Sequence, residues 1–389
     1  MTKRLYHDDS YLRTFDAEVA AIAAWKDRTA VILDRTAFYP EAGGQLGDRG
    51  TLGGVAVVDT QETDAGILHV LDGAAPAVGA RVTGAIDWAR RRQHMAQHTA
   101  QHLLSGALLD RAQAPTQSAR LGETALTIDV ARDRIPEADL AAAEDLANDL
   151  VDDDLPIRAW FPSPAELAEL KLRRDPKVDA DIRVVAIGDF DFSPCGGTHC
   201  ARTSQLGAVR ITNHERYKGM TRVTFVAARR GRADLFARDH ALRQLATAFS
   251  CGPAEVPAAV DKLRRDAGAA DGELTALRGR LAKLIVGELL AAQPEGAVVA
   301  ALPGDGELLR TIGAHLTAAG RDAILCAPDD AGTAVVLFRA AGSALDCGAL
   351  WKQLATGGGR GGGRADRAEG KLTARVDDWR AAVAAALGT

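Results

Sequence analysis

Hydrophobic positions in the first ninety residues come in short runs separated by glycines: A-V-I-L-D at 30–34, G-V-A-V-V-D at 54–59, G-I-L-H-V-L at 66–71 and R-V-T-G-A-I at 81–86. Runs of this length, rich in Val and Ile and closed by turn residues, predict strands. Their spacing predicts a small, mostly antiparallel barrel or twisted sheet. From residue 91 to about 112 the pattern changes: Leu and Ala recur at helical spacing with no proline, which predicts a helix. Strand-like runs follow at 123–130, 182–187, 208–212 and 221–227, with an amphipathic helix at 136–151 beginning at Ile135-Pro136. This mixture predicts an α+β domain built around the first helix.

Residues 231–293 read as a charged helical linker, interrupted at Cys251-Gly252-Pro253 and Val256-Pro257. The last stretch, 294–389, alternates strand and helix patterns again and predicts a compact α/β domain. The expected fold class is thus α+β, with a β-barrel subdomain over 1–90, an α+β domain over 91–230, the linker, and the C-terminal domain.

A chain of 389 residues has room for two or three cores. Its formal net charge of −5 supplies no global basic field, so any nucleic-acid contact must come from local patches. Five cysteines, at 195, 200, 251, 326 and 347, show no framework spacing, which argues against a secreted disulfide scaffold and for a reducing compartment. The start, M-T-K-R-L-Y-H-D-D-S, lacks the apolar core of a signal peptide, and no apolar run approaches bilayer length. A cytoplasmic location without membrane contact is expected.

Two fragments carry metal chemistry. H-T-A-Q-H, His98 to His102, lies in the predicted helix, where residues four apart share a face and two imidazoles can converge on one ion. C-G-G-T-H, Cys195 to His199, brackets a turn in which the glycines allow a tight bend. Three nitrogens and a thiolate suit tetrahedral zinc. His94 precedes His98 by four, so spacing alone does not choose between the His94/His98 and His98/His102 pairs.

The glycine-rich T-G-G-G-R-G-G-G-R-A-D-R segment satisfies G-x-G-x-x-G at Gly357, Gly359 and Gly362 but follows a helix-like run, with too little chain after it for a dinucleotide-binding unit. It reads as a flexible loop whose open N–H groups and arginines favour phosphate without base readout.

H-T-A-Q-H-L-L followed about ninety residues later by C-G-G-T-H resembles the editing domain of alanyl-tRNA synthetases and the free-standing AlaX proteins. The segment Thr36 to Gly50, T-A-F-Y-P-E-A-G-G-Q-L-G-D-R-G, resembles that family's T-x-F-Y-x-E-x-G-G-Q-x-G-D-x-G signature, and the run containing Glu215, Gly219 and Arg222 resembles the segment after its cysteine motif. The glycine-rich stretch is similar to the motif closing the synthetases' C-terminal domain, associated in the family with tRNA binding and dimer formation. A related domain follows the catalytic part of some phosphodiesterases, but their Asp-His-His signature is missing, since Asp239-His240 is followed by Ala241.

The resemblance implies one zinc ion held by His98, His102, Cys195 and His199, with His94 outside the ligand set. It makes residues 91–230 a zinc-containing editing domain and residues 294–389 a tRNA-binding domain. It implies an enzyme, a deacylase clearing seryl and glycyl esters from mischarged tRNA-Ala. With no aminoacylation domain ahead of the barrel, that deacylase would act in trans. Thr36 and Gln45 become candidate polar groups of the catalytic pocket. Arg222, the Arg230-Gly231-Arg232 segment and the run Gly357, Gly358, Gly359, Arg360, Gly361, Gly362, Gly363, Arg364 become candidate RNA contacts. A homodimer through the helical linker or C-terminal domain is a further expectation. Two alternatives stay open: a noncatalytic tRNA-binding module with structural zinc, and a zinc hydrolase of another acyl ester.

Overall fold

The computed structural model describes residues 2–176 and 178–388. The chain divides into two compact units, Met1–Gln244 and Leu245–Thr389. Both mix α and β structure, and no helix among the described residues is long and apolar enough to cross a membrane.

In the first unit, six strands pair in the order β1-β2-β5-β4-β3-β6 and close into a barrel: β1 (Thr14–Trp25), β2 (Arg28–Leu33), β3 (Gly50–Leu52), β4 (Val55–Thr63), β5 (Gly66–Asp72) and β6 (Arg81–Ile86). Along β1 the period-two rule holds: Phe15, Ala17 and Val19 point inward while Thr14, Asp16 and Glu18 face solvent. Phe15, Val31, Leu33, Phe38, Leu52 and Leu71 fill the interior. Residue 84 has to be glycine, because a Cβ there would stand 2.5 Å from the Phe15 ring.

The barrel feeds directly into α1 (Trp88–Ala112). Asp87 caps its start by accepting from the Arg90 amide at 3.1 Å, and Gln113 ends it in the left-handed conformation. From His94 to Leu108 every side chain is buried, so this is a central helix rather than a surface amphipathic one. Around it stand β7 (Thr116–Leu121), β8 (Leu126–Val130), α2 (Glu137–Asp152), the strands β9 (Ile157–Trp160), β10 (Val184–Ile187) and β11 (Asp191–Pro194), and the hairpin β12 (Arg210–Tyr217) and β13 (Met220–Val226). They form a sheet ordered β12-β13-β8-β7 and a second ordered β9-β10-β11. Met95, Leu103, Leu104 and Leu108 of α1 pack with Leu140, Ile128, Val223 and Phe225. Next comes α3 (Ala228–Ala248).

One buried ion pair joins barrel to helix. Arg91 and Asp48 have fully buried side chains, and the Arg91 Nε donates to Asp48 Oδ2 at 2.9 Å and Oδ1 at 3.1 Å. The remaining guanidinium hydrogens go to the Ser10 carbonyl at 2.9 Å and the Ala37 carbonyl, while Asp48 also accepts from the Tyr39 amide at 2.6 Å. Both charges are therefore saturated, which makes such burial tolerable. The pair pins the 36–50 loop onto the first turn of α1.

The second unit contains α4 (Val256–Ala292), β14 (Val298–Ala301), α5 (Gly306–Ala318), β15 (Ala323–Asp329), β16 (Gly332–Phe338), α6 (Cys347–Leu354), β17 (Gly359–Gly363), β18 (Arg367–Leu372) and α7 (Trp379–Leu387). Its sheet is ordered β14-β15-β16-β18-β17. Alternation along β15 sends Ala323, Leu325 and Ala327 to the α4/α5 side and Ile324 and Cys326 to the side of Trp351 and Trp379. The glycine run corrects the reading of a flexible loop: Gly359–Gly363 is the edge strand of this sheet. Trp351 lies across it, so a Cβ at Gly361 or Gly370 would meet the indole at 2.8 or 2.3 Å.

Asp48→Ala strands a buried guanidinium and is expected to destabilise the first unit by about 3–5 kcal/mol in urea unfolding. Replacing both partners with apolar residues of similar volume should recover most of that loss. An exposed-pair effect below about 1 kcal/mol would refute the anchoring role.

Candidate metal centre

Two segments distant in sequence converge on one point. α1 supplies His98 and His102 one turn apart, and the loop after β11 supplies Cys195 and His199. Their ligand atoms all lie within 4.8 Å of one another, and only Cys195 is not fully enclosed. The Cys195 Sγ stands 3.5 Å from His98 Nε2 and 3.3 Å from His199 Nε2. A tetrahedral ion with Zn–S of about 2.3 Å and Zn–N of about 2.0 Å separates such ligands by about 3.5 Å, so the spacing fits.

Close approach, rather than a tight bend, explains the second glycine of C-G-G-T-H. Neither Gly196 nor Gly197 has positive φ, but a Cβ on Gly197 would stand 2.3 Å from the His98 ring. Arg183 holds this loop by donating to the carbonyls of Cys195 at 3.0 Å and Gly197 at 2.8 Å.

Each histidine turns its Nδ1 away from the cluster. His98 Nδ1 meets Gln45 Oε1 at 2.7 Å; that oxygen also accepts from the Thr198 amide, while Gln45 Nε2 donates to Thr198 Oγ1. His199 Nδ1 lies 3.1 Å from Thr99 Oγ1, whose own hydrogen goes to the Met95 carbonyl. His102 Nδ1 faces the buried Asp191 carboxylate at 3.6 Å, and Arg173 donates to that carboxylate at 2.6 Å. All three outer partners are acceptors. Gln45 and Thr99 thereby favour the Nδ1–H tautomer of His98 and His199, the Asp191 charge favours it at His102 without a hydrogen bond, and Nε2 is the atom each ring turns inward.

Electrostatics point the same way. Burial would raise the Cys195 thiol, but the three surrounding histidines outweigh it and hold the thiol well below its ordinary range. Burial likewise pushes His199 down to about 3. Burial would lower His102 too, but the Cys195 sulfur and the Asp191 carboxylate outweigh it and raise it, so a metal binding there displaces a proton to reach the thiolate and neutral imidazoles it requires.

Beside the cluster opens a cavity of about 410 Å³, lined by His98, His102, Cys195 and Gly197 together with Tyr39, Gln101, Arg173 and Arg174. Residues 10–90 match the model described as tRNA synthetases class II (A), and residues 182–224 match the threonyl and alanyl tRNA synthetase second additional domain. The protein named alanyl-tRNA editing protein AlaX-L from Pyrococcus horikoshii is 37% identical over 242 residues, covering 59% of each chain. Alanine–tRNA ligases of Pyrobaculum neutrophilum and Archaeoglobus fulgidus are 33% and 31% identical, over 99% and 97% of this chain. The chain resembles the AlaX-type editing proteins. It spans about half the length of these relatives, 59%, 44% and 43% respectively.

Against that family pattern the expected pocket residues move. Gln45 is fully buried behind His98 and orients that ring instead of facing the cavity. Thr36 is fully buried in the barrel, its hydroxyl 2.7 Å from His69 Nε2 and accepting from the Phe38 amide, away from the cavity lining. His94 is buried near α1's start, outside the cluster. Arg222 is committed to Asp129 through two hydrogen bonds, 2.7 and 2.9 Å, with its guanidinium over the Tyr217 ring. Arg360 and Arg364 project from the exposed edge strand or its end, and neither side chain makes a hydrogen bond or ion pair among the described residues. Asp191, Thr99 and Arg183 were missed; a lone Asp, Thr or Arg outside a motif carries no ligand signal in sequence.

Gln45→Ala removes the acceptor on His98 Nδ1 and should weaken zinc binding about 10- to 100-fold in competition with a chromophoric chelator. Thr36→Val should leave that affinity unchanged. Equal losses in both variants would contradict the assigned roles.

Proposed function

We propose that this chain is a zinc-dependent aminoacyl-tRNA deacylase that removes serine from mischarged tRNA-Ala by recognising its hydroxyl, with the smaller glycyl ester as a second substrate that this hydroxyl contact does not select. The observation that carries the reading is the set of three inward-facing Nε2 atoms and one thiolate opening onto a cavity of about 410 Å³. That volume suits an aminoacyl group with its terminal ribose. His98, His102, Cys195 and His199 would hold the ion, and zinc, when bound, supplies Lewis-acid polarisation of an ester carbonyl or water.

The chain's own residues do the rest. Arg174 lines the cavity without a carboxylate partner among the described residues and favours the anionic end of an RNA, while Arg173 beside it is committed to Asp191. Gln101 donates its amide to Ser105 Oγ at 2.8 Å, which leaves its carbonyl oxygen to accept from the serine hydroxyl. Alanine lacks that hydroxyl and would leave the buried acceptor unpaired, which is how a polar site rejects the smaller substrate. Editing is needed because an apolar synthetic site discriminates poorly against an added hydroxyl. In the second unit, Arg360 and Arg364 on the Gly357–Arg364 segment, unpartnered among the described residues, support phosphate contact there.

A second reading is favoured by the ligand count. Four protein ligands describe a closed, structural zinc, which fits a tRNA-binding module without turnover. Hydrolysis of Ser-tRNA-Ala beside Ala-tRNA-Ala separates the two. Rapid loss of the seryl ester alone, reduced at least 100-fold by Cys195→Ala, is expected. Binding of tRNA without loss of either ester would select the module.

A homodimer through the helical linker draws support from α4. Leu274, Leu277, Leu281 and Leu284 are exposed at alternating three- and four-residue intervals, the seam of a coiled coil. Sedimentation equilibrium should give a dimer, reduced to monomer by Leu277→Glu with Leu284→Glu; a monomeric parent chain would refute it.

A further inference from the structure

The basic residues at the starts of α1 and α3 have no role in the metal cavity. Between these two helices, within the first unit, lies a cleft of about 320 Å³ lined by Arg92, Gln93, Gln205, Arg229 and Arg232 beside Trp88. No carboxylate lines it. Arg92, Arg229 and Arg232 are exposed, and none makes a hydrogen bond or ion pair among the described residues. This is unlike most arginines nearby: Arg91 is held by Asp48, Arg90 by Glu123 and Arg222 by Asp129.

The uncharged groups in the cleft are donors as well. Gln93 Nε2 is buried and has no hydrogen-bond partner. Gln205 accepts through Oε1 from the Tyr11 hydroxyl at 2.6 Å and the Ala201 amide at 3.1 Å, which leaves its Nε2 uncommitted. Ala228 begins α3 in the left-handed conformation and lines the cleft, so the positive end of a long helix adds to the field. An adjoining cavity of about 430 Å³ shares Gln93 and Arg229 and is lined by Arg90, Arg230 and the carboxylate Glu123, and by His94, which is 5% exposed with its Nδ1 unpartnered.

Three guanidinium groups around a concave surface that no carboxylate lines, beside one buried amide donor without an acceptor, make a site complementary to an anion. We propose that this cleft binds a phosphate group through Arg92, Arg229 and Arg232, with Gln93 and Gln205 as neutral donors. Resting on the proposed RNA substrate, the phosphate is one of the RNA backbone. α1 carries both Gln93 and His98, about 8 Å apart along the helix axis but about 140° apart around it, so the cleft and the metal centre open on different faces of one rigid helix. A contact here would register the RNA relative to the metal centre without reading bases.

The test uses the full chain and the variant Arg229→Gln/Arg232→Gln, whose exposed positions spare the core. Affinity for uncharged tRNA-Ala is measured against salt concentration, beside titration with inorganic phosphate and the rate of seryl-ester hydrolysis at saturating protein. The variant should bind RNA roughly tenfold more weakly, with a salt slope smaller by about two. Its hydrolysis at saturation should be retained. Loss of inorganic phosphate binding in the variant with unchanged RNA affinity would keep the anion site and overturn its assignment to RNA. Unchanged RNA affinity, slope and phosphate binding would overturn the site. Failure of the parent chain to hydrolyse any seryl ester, with the charge effect on RNA intact, would instead refute the deacylase reading alone.

Discussion

The buried pair between Arg91 and Asp48 is the constraint on which the rest of the first unit depends. A charge removed from water tolerates only a saturated environment, so the guanidinium fixes the Ser10 and Ala37 carbonyls as well as Asp48. The loop that follows β2 is thereby locked against the first turn of α1. Gln45 lies three residues before Asp48 and His98 two turns after Arg91. The ion pair therefore sets the distance at which Gln45 meets the His98 ring. Position follows from electrostatics here, not from loop stiffness.

Metal chemistry then follows from hydrogen bonding at a remove. An imidazole has two nitrogens, and the one that keeps its proton decides which one can bind an ion. Gln45 and Thr99 each accept at an Nδ1, and the Asp191 carboxylate faces the third from 3.6 Å. The Nε2 atoms are left facing the Cys195 thiol, which the rings hold toward its thiolate form despite burial. Arg183 fixes the Cys195 loop from the other side through two carbonyls. Barrel loop, central helix and cysteine loop are each incomplete without the others.

Much of this was legible in the residues. The two fragments that converge were, as a helical histidine pair and C-G-G-T-H, although spacing left His94 as an alternative and the family resemblance alone named His98, His102, Cys195 and His199. The helix at 88–112 and the strands at 66–72 and 81–86 were, because their apolar periods are regular. β1 was not: its inward positions include alanine, which packs like a strand here but has little strand preference. The glycine run was read as a mobile loop because composition cannot show Trp351 lying on it. Thr36 and Gln45, candidates for polar groups of the pocket on their motif alone, meet His69 and His98, dozens of residues away in sequence. Partners fixed by tertiary contact leave no trace in spacing.

X-ray absorption spectroscopy at the zinc edge of the metal-loaded chain tests the centre most directly. The account predicts one sulfur at about 2.3 Å and imidazole nitrogens at about 2.0 Å, with the sulfur shell lost in Cys195→Ala. A first shell of oxygen alone, or a sulfur shell that survives the substitution, would contradict it.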